Sequence, residues 1–312
     1  MSKKKIDQKP SDTALFAALR RTIANQEYKN EKLGPDDLAV CFLPPHFRFF
    51  LKFKRIRENT RNKLNGLLPG LNEYMIARTA FFDGLFVDAL NIKTPQIVLL
   101  GAGYDSRAYR FANSNQGTRI FELDATPTQN RKKKCIRKAQ IDIPKHVTFI
   151  PINFNQESLK DTLEKAGYKN HQKTLFIWEG VSYYLDLESV ETTLAFVSHA
   201  SHHESAIAFD YTISISEENI DNYYGVKEFT QTMKEHHANE ELIFSIDEDE
   251  IESFLEQRGL KIVNHLDNEE IERTFLLDEN GSLIGQTTGH FRFVLASPNS
   301  RLLIIRENGE RS

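Results

Sequence analysis

The chain has 312 residues, of which 40% are hydrophobic and 27% are charged, with a formal net charge of -4 and a sequence pI near 6.2. These values are typical of a globular protein with one large core, and the slight acidity argues against a general nucleic-acid binder, whose domain is usually basic. The only two cysteines, Cys41 and Cys135, exclude a disulfide framework and argue against a cysteine metal site.

The first part of the chain is predicted to be helical. Leu15, Leu19 and Ile23 recur at four-residue spacing, which is the pattern of one face of a helix. Residues 71–90 predict a second, longer helix. We therefore expect a helical N-terminal cap over residues 1–94.

Residues 46–64 interleave large apolar and basic side chains. The apolar residues are Phe47, Phe49, Phe50, Leu51, Phe53 and Ile56, and the basic residues are Arg48, Lys52, Lys54, Arg55, Arg57, Arg61 and Lys63. The pattern favours an amphipathic helix with a solvated basic face. An electropositive cap that attracts an anionic substrate is the alternative.

Strand and helix patterns alternate over residues 95–312, which we expect to form a catalytic domain. Seven strands are predicted, over residues 97–100, 118–123, 147–151, 174–178, 205–211, 260–266 and 290–296. Helices are predicted over residues 105–112, 127–140, 157–167, 187–202 and 248–258. This alternation indicates a mostly parallel, doubly wound α/β sheet. Residues 212–246 are too many for a simple connection and are expected to form a lid or a substrate wall.

A glycine turn follows the first predicted strand. Gly101 and Gly103 come directly after the apolar run, and Asp124 ends the second strand. Glycines let a backbone pass close to a ligand, and a carboxylate at that place can accept from ribose hydroxyls. Ser106 replaces the third glycine of a dinucleotide fingerprint, so the pattern favours S-adenosylmethionine over NAD but leaves NAD and a purely structural turn open. Glu179, after the fourth strand, is expected to face the same crevice.

Three motifs together resemble the leucine carboxyl methyltransferase family, in its bacterial O-methyltransferase branch. They are V-L-L-G-A-G-Y-D-S-R-A-Y-R, F-E-L-D-A-T-P and F-I-W-E-G-V-S-Y-Y-L. The resemblance implies the class I S-adenosylmethionine methyltransferase fold, a Rossmann-like α/β fold with a seven-stranded, mostly parallel sheet whose last strand is antiparallel. It also implies S-adenosylmethionine as the cofactor.

The resemblance extends to individual cofactor-binding residues. Those that it implies are Arg78, Gly101, Gly103, Asp124, Asn153, Phe154 and Glu179. Arg78 would bind the methionine carboxylate, a task that suits a guanidinium because it can grip a carboxylate in two places. Asp124 would bind the ribose. Asn153 and Phe154 stand near the adenine, where the family often has Asp-Leu, and an asparagine can still bond a ring amine.

The leading hypothesis is an S-adenosylmethionine-dependent O-methyltransferase, which aligns donor and acceptor and excludes water. Tyr183 and Tyr184 are the candidate catalytic residues, with two core tyrosines as the alternative. The acceptor is expected to be a small molecule or a carboxylate, including that of a protein C-terminus. A carboxylate needs no general base, whereas a hydroxyl does, and His46 is a candidate base. An NAD-dependent oxidoreductase and a non-catalytic partner-binding protein are the competing hypotheses.

Other features predict little chemistry. His199 and His203 are four residues apart, but no third ligand is suggested nearby, so we predict no metal site. The basic run over residues 131–138 is expected to be a solvated helix face. The N-terminal region lacks the apolar segment of a secretory signal, and no apolar run is long enough to span a membrane. We expect a cytoplasmic protein without a nucleic-acid or membrane partner.

Overall fold

The computed structural model describes residues 9–28, 33–154, 156–236 and 242–299. Within these residues, seven strands form one sheet. The strands are β1 (Gln96–Leu100), β2 (Arg119–Asp124), β3 (Val147–Pro151), β4 (Thr174–Trp178), β5 (Ala206–Thr212), β6 (Lys261–Leu266) and β7 (Phe291–Ser297). All seven lie within one residue of their predicted bounds, so the strand prediction is confirmed.

The strands lie in the order β3-β2-β1-β4-β5-β7-β6 across the sheet. Strands β1 to β5 are parallel, and β7 runs antiparallel to both β5 and β6. The strand order reverses between β1 and β4, and the carboxyl ends of strands at such a reversal frame the ligand crevice of open α/β sheets. This topology confirms the predicted α/β class with a mostly parallel, seven-stranded sheet.

Helices flank this sheet and precede it. They are α1 (Asp12–Tyr28), α2 (Pro45–Phe50), α3 (Lys54–Leu67), α4 (Leu71–Asn91), α5 (Arg107–Arg110), α6 (Thr126–Lys138), α7 (Leu159–Lys165), α8 (Leu187–His199), α9 (Val226–His236), α10 (Ile251–Glu256) and α11 (Asn268–Phe275). The sequence patterns did not predict α11. Its start nevertheless has a local signal, because Asp267 and Glu270 form a reciprocal capping box there.

Two apolar cores cover the two faces of the sheet. Ile97 and Leu99 of β1 belong to the core that α1 and α4 complete, whereas Val98 and Leu100 belong to the core with α7, α8 and α10. Every residue of β1, β4, β5 and β7 is buried, as expected for strands that are covered on both faces.

The region over residues 46–64 differs from its prediction. Helix α2 ends at Phe50 and α3 begins at Lys54, so the region is not a single helix. Of its six large apolar side chains only Leu51 is buried, and Phe49 is 56% exposed. The expectation of one amphipathic helix is therefore wrong, because the break redistributes the apolar positions over two short helices that turn most of them away from the core.

The basic run over residues 131–138 is only partly a solvated face. Lys132 of α6 is 1% exposed, and its Nζ lies 2.7 Å from Oε2 of Glu122 on β2. Neither atom makes an aligned hydrogen bond among the described residues, so charge attraction is the main link between them. Burial raises the pKa of Glu122, and the nearby Lys132 opposes that rise.

Residues 212–246 include α9, while residues 237–241 lie outside the described part of the chain. The Phe229 ring of α9 lies 5.9 Å from the Phe291 ring at the start of β7. This place at the sheet edge agrees with a lid or a substrate wall, although that role and the boundary after residue 94 stay predictions. None of the described helices has the length and apolar character needed to cross a bilayer.

Replacing Lys132 by methionine should lower the free energy of unfolding by about 3–5 kcal/mol, because Glu122 would lose its partner inside the protein. Adding Glu122→Gln should recover much of this loss. Chemical denaturation of the single and double variants measures the coupling. Lys134→Met, at an exposed position of the same helix, is the control. Simple additivity of the two single changes would contradict a coupled pair.

Candidate functional site

The glycine turn after β1 is held against the end of β2. Gly101 and Gly103 have positive φ angles of 69° and 43°. The Asp124 carboxylate accepts hydrogen bonds from the backbone N–H of Gly103 and, at 2.6 Å, from that of Ala125. Burial raises the pKa of Asp124, and these two N–H donors oppose the rise. The turn therefore fixes a carboxylate at the edge where the sequence predicted a ribose acceptor.

Arg78 of α4 reaches the same edge of the sheet. It is 6% exposed, its Nε lies 3.0 Å from Oε1 of Glu179 after β4, and its Nη1 lies 3.4 Å from Oδ2 of Asp210 on β5. Nη1 also donates a 3.3 Å hydrogen bond to the Tyr183 hydroxyl. Three elements thus bring a guanidinium, two carboxylates and a phenol together.

The charge of Arg78 is secured by its surroundings. Burial, the largest single effect, would lower the pKa of this guanidinium, but Glu179 together with Tyr74, Tyr183 and Asp210 outweighs it and holds the pKa well above its usual value. Although it is close to Glu179, the Nε atom has no aligned hydrogen bond within the described residues. Arg78 is therefore a permanent buried cation with capacity for a further acceptor.

A second guanidinium holds Glu179 from the other side. Nη1 of Arg107 on α5 donates to Oε2 of Glu179 at 2.6 Å and also to Asp105, while its Nε donates to Oδ1 of Asp83 at 2.7 Å. Burial would raise the pKa of Asp105, but Arg107 together with Lys132 and Arg21 outweighs burial and lowers it. Sequence reasoning assigned no role to Arg107, Asp105 or Asp83. Arg107 and Asp105 could have been noticed as an arginine and an acid directly after the glycine turn. Asp83 could have been noticed as an acid near Arg78 on an apolar helix.

The cap joins this charge cluster through Arg110 and Asp36. Arg110 binds both oxygens of Asp83 at 2.7 Å. Asp36 accepts from the hydroxyl of Ser106 at 2.7 Å and from Nε of Arg21 on α1 at 2.8 Å. Burial raises the pKa of Asp36, but Arg110 and Arg21 outweigh it and lower the pKa. The serine that replaces a third glycine thus ties the cap to the turn.

Asp210 is a second acid that the sequence analysis missed. It is fully buried, accepts a hydrogen bond from the Tyr74 hydroxyl, and accepts another from the Gly180 backbone N–H at 2.7 Å. Burial raises its pKa, and Arg78 opposes that rise. Its signal in the sequence was a single acid within the apolar strand A-I-A-F-D-Y-T.

The predicted catalytic tyrosines occupy different positions. Tyr183 is buried in the charge cluster, and burial together with Asp210 raises its pKa well above the usual value, so its hydroxyl stays protonated near neutral pH. Tyr184 is half-buried, and its ring meets that of Tyr183 edge to face at 4.8 Å. Tyr183 therefore contacts the groups that could hold a ligand, whereas the contact described for Tyr184 is with the Tyr183 ring.

Asn153 and Phe154 follow β3, beside the end of β2. The Ile152 N–H donates to the backbone oxygen of Asp124 at 3.0 Å, so the two residues begin at the same edge as the ribose carboxylate. Both are half-buried. Their adenine role stays a prediction.

The histidines that the structure describes are not grouped as metal ligands. His199 and His203 are exposed, and Nδ1 of His199 lies 2.6 Å from the Ser198 hydroxyl. Among the described residues, no three His, Cys, Asp or Glu side chains are arranged to hold a metal ion. His46, the candidate base, is exposed on α2, and its ring lies 4.7 Å from that of Phe47.

This fold and this sheet edge define an S-adenosylmethionine-dependent methyltransferase. A sequence model described as leucine carboxyl methyltransferase matches residues 14–198, more than half of the chain. The chain therefore belongs to the leucine carboxyl methyltransferase family, and its cofactor is S-adenosylmethionine.

Two relatives carry the provisional name S-adenosyl-L-methionine-dependent methyltransferase. YktD of Bacillus subtilis (strain 168) is 28% identical over 245 residues, which cover 76% of this chain and 79% of that protein. Franean1_4929 of Parafrankia sp. (strain EAN1pec) is 29% identical over 211 residues, which cover 67% of this chain and 65% of that protein.

Two solved structures share the fold. One is a provisionally named methyltransferase from Thermobifida fusca, with a TM-score of 0.55 and 11% identity, covering 94% of this chain and 97% of that chain. The other is a DUF574 family protein from Streptomyces avermitilis, with a TM-score of 0.56 and 12% identity, covering 93% of this chain and 98% of that chain. At such low identity the likeness concerns the fold alone.

The side chains at the sheet edge fit S-adenosylmethionine. The methionine end of this cofactor carries a carboxylate and an ammonium group, which match a buried guanidinium that stands beside two carboxylates. Close approach to Arg78 also depends on Gly180, where φ is 72° and an added Cβ would lie 2.9 Å from Nη1 of Arg78. Both the charges and the backbone therefore suit the group.

Removing the second guanidinium should destabilise the whole cluster. Arg107→Gln should lower the free energy of unfolding by about 3–5 kcal/mol, because three buried or half-buried carboxylates lose a shared cation. Arg137→Gln, at an exposed position of α6, should change it by less than about 0.5 kcal/mol. Chemical denaturation compares the two variants, and equal stability would show that Arg107 is not holding the cluster.

Proposed function

We propose that this methyltransferase transfers the methyl group to an oxygen atom, and that the acceptor oxygen belongs to a carboxylate. The observation that carries the proposal is the state of the ionisable groups near Arg78. Glu179 and Asp210 are engaged with guanidinium groups, and the Tyr183 hydroxyl stays protonated. None of them is free to take a proton from a hydroxyl.

A histidine base is also not offered by the described residues of this edge. His290 lies next to the site wall, with its ring 4.1 Å from that of Phe291, but burial lowers its pKa to about 3. Such a weak base would remove a hydroxyl proton poorly near neutral pH. A carboxylate acceptor is already ionised and needs no base. This difference favours a carboxylate over an alcohol or a phenol.

The proposed roles of the residues are to bind, orient and exclude water. Arg78 would grip the methionine carboxylate, Glu179 would hold Arg78 and balance the ammonium group, and Asp124 would accept from the ribose hydroxyls. S-adenosylmethionine, when bound, supplies a methyl group on a positively charged sulphur. Gly101 and Gly103 let the backbone lie close to the cofactor.

Tyr183 would form part of the wall beside the reacting atoms. Its ring lies 5.4 Å from Phe291, and Phe291 stacks on Tyr74 at 4.0 Å. These buried rings exclude water, so that donor and acceptor oxygen can be held at contact distance. The Tyr183 hydroxyl can donate a hydrogen bond to an acceptor oxygen without changing its own protonation. No comparison favours an NAD-dependent oxidoreductase or a non-catalytic partner-binding protein.

The two-point grip of Arg78 can be tested by a change that keeps its charge. Arg78→Lys should weaken S-adenosylmethionine binding by about tenfold to a hundredfold, because an ammonium cannot hold a carboxylate in two places. Arg20→Lys is the matched control, since Arg20 is equally buried but donates to the Asn72 amide. Calorimetry measures both affinities. Wild-type affinity in Arg78→Lys would remove this arginine from the site.

The acceptor class can be tested through the stability of the product. A set of carboxylic acids and phenols is incubated with the enzyme and a labelled methyl donor. We expect turnover on acids, giving a methyl ester that releases methanol in mild alkali. A methyl ether survives that treatment. An alkali-stable product from the best acceptor would overturn the carboxylate proposal while leaving the methyltransferase class intact.

A further inference from the structure

Helices α2 and α3 expose a cluster of aromatic side chains. The exposed residues are Phe47 (38%), Phe49 (56%), Phe50 (48%), Phe53 (50%), Ile56 (38%) and Leu67 (50%). Within the described part of the chain, no phenylalanine elsewhere is as exposed as these four. The Phe49 ring contacts those of Phe50 and Phe53 at 5.5 and 5.4 Å, so these three rings form one surface. Exposed apolar clusters of this kind mark sites of interaction.

The same segment is basic. No acidic residue occurs between Asp37 and Glu58, although the whole chain carries a net charge of -4. Lys52, Lys54 and Arg55 are exposed and lie next to Phe50 and Phe53 in the sequence, and Lys54 forms an exposed ion pair with Glu58. The outward surface of residues 46–56, called here the aromatic–basic face, therefore combines apolar rings with positive charge.

Two other arginines of the segment point inward and brace it. Arg48 donates to the backbone oxygens of Leu43 and Cys41, and Arg57 donates to that of Leu51 at 2.9 Å. Because these bonds hold the turn between α2 and α3, the aromatic–basic face is a built surface rather than a loose loop.

Both ends of the segment are attached beside the candidate site. At one end, Phe42 stacks at 5.2 Å on Tyr104, which directly follows the glycine turn. At the other end, the Thr232 hydroxyl of α9 donates to the backbone oxygen of Leu67 at 2.9 Å. The aromatic–basic face therefore belongs to a segment whose flanks, at Phe42 and Leu67, contact the residue after the glycine turn and the helix that lies against Phe291.

We propose that the aromatic–basic face docks the enzyme on an anionic phospholipid surface. Phenylalanine rings enter the boundary between headgroups and acyl chains, while lysine and arginine pair with lipid phosphates at the same depth or above it. Charge complementarity selects anionic lipid, because each basic residue near such a surface strengthens binding about fivefold.

A bilayer fits this face better than a second copy of the chain does. The α2 residues 45–47 and 49–50 are exposed together, so they project rather than line a groove. In a two-fold dimer this face would pack against itself, which would place the basic residues of two copies against each other at a cost from like-charge repulsion. The other exposed large apolar residues of the described chain, such as Ile92, Ile143 and Leu283, are separated along the sequence. The earlier expectation of no membrane partner rested on the lack of a spanning segment, which peripheral binding does not require.

Sedimentation with vesicles tests the proposal without cofactor or acceptor. The full chain is mixed with vesicles of phosphatidylcholine alone or of phosphatidylcholine and phosphatidylglycerol in equal parts. We expect binding to the anionic vesicles and little to the neutral ones. Lys52→Gln with Arg55→Gln should weaken binding about 25-fold, and Phe49→Ser with Phe53→Ser about tenfold or more.

Two control variants carry the same chemical changes at other exposed positions. Lys134→Gln with Lys138→Gln on α6, and Ile143→Ser with Leu283→Ser, should bind the anionic vesicles like the wild type. Absence of wild-type binding, or equal losses in the control variants, would overturn the proposal. Sedimentation velocity without lipid gives a further check. A wild-type dimer that Phe49→Ser with Phe53→Ser converts to a monomer would assign the face to a second copy instead.

Discussion

Burying a guanidinium removes it from water, and the protein must replace that water with acceptors. Here two such groups, Arg78 and Arg107, share one carboxylate, Glu179, whose two oxygens they bind from opposite sides. Neither arginine can move without exposing the charge of its neighbours, and the cost of an unpaired buried charge is several kcal/mol. The position of Glu179 at the end of β4 therefore determines where both cations lie, and through them where a bound carboxylate must lie.

The same interaction explains how the helical region before β1 is joined to the sheet. Apolar contacts attach α4 to the sheet, but charge contacts fix its register. Asp83 of α4 binds two arginines of α5, and Asp36 binds a third arginine, Arg21 of α1. Because ion pairs depend on direction and distance far more than apolar contacts do, they hold the site's geometry while the cores supply most of the stability.

The sequence could predict those parts of the fold and the site that depend on residues close together in the chain, and not those that depend on distant residues. Strands follow from local apolar runs, and the glycine turn with Asp124 follows from spacing along one strand–turn–helix unit. Asp210 could not be placed in the same way, because its partner Tyr74 is 136 residues away. Lys132 belongs to a basic run that is typical of a solvated helix face, and its burial follows only from the packing of α6 on β2. The prediction of one amphipathic helix over residues 46–64 failed for a related reason. A periodic pattern shows which residues are apolar or basic, but not what each of them packs against in the folded chain.

Ser106 occupies a position where a dinucleotide-binding turn and the turn of this chain need different residues. A dinucleotide-binding fold places a glycine there so that helix and strand can approach closely. In this chain the side-chain hydroxyl is a donor to Asp36, and Asp36 also holds α1 through Arg21. A glycine at this position would remove the donor while leaving its buried acceptor behind. Adapting the turn to a pyrophosphate would therefore weaken the attachment of α1 to the turn. The choice of cofactor and the packing of the N-terminal helices thus depend on the same residue.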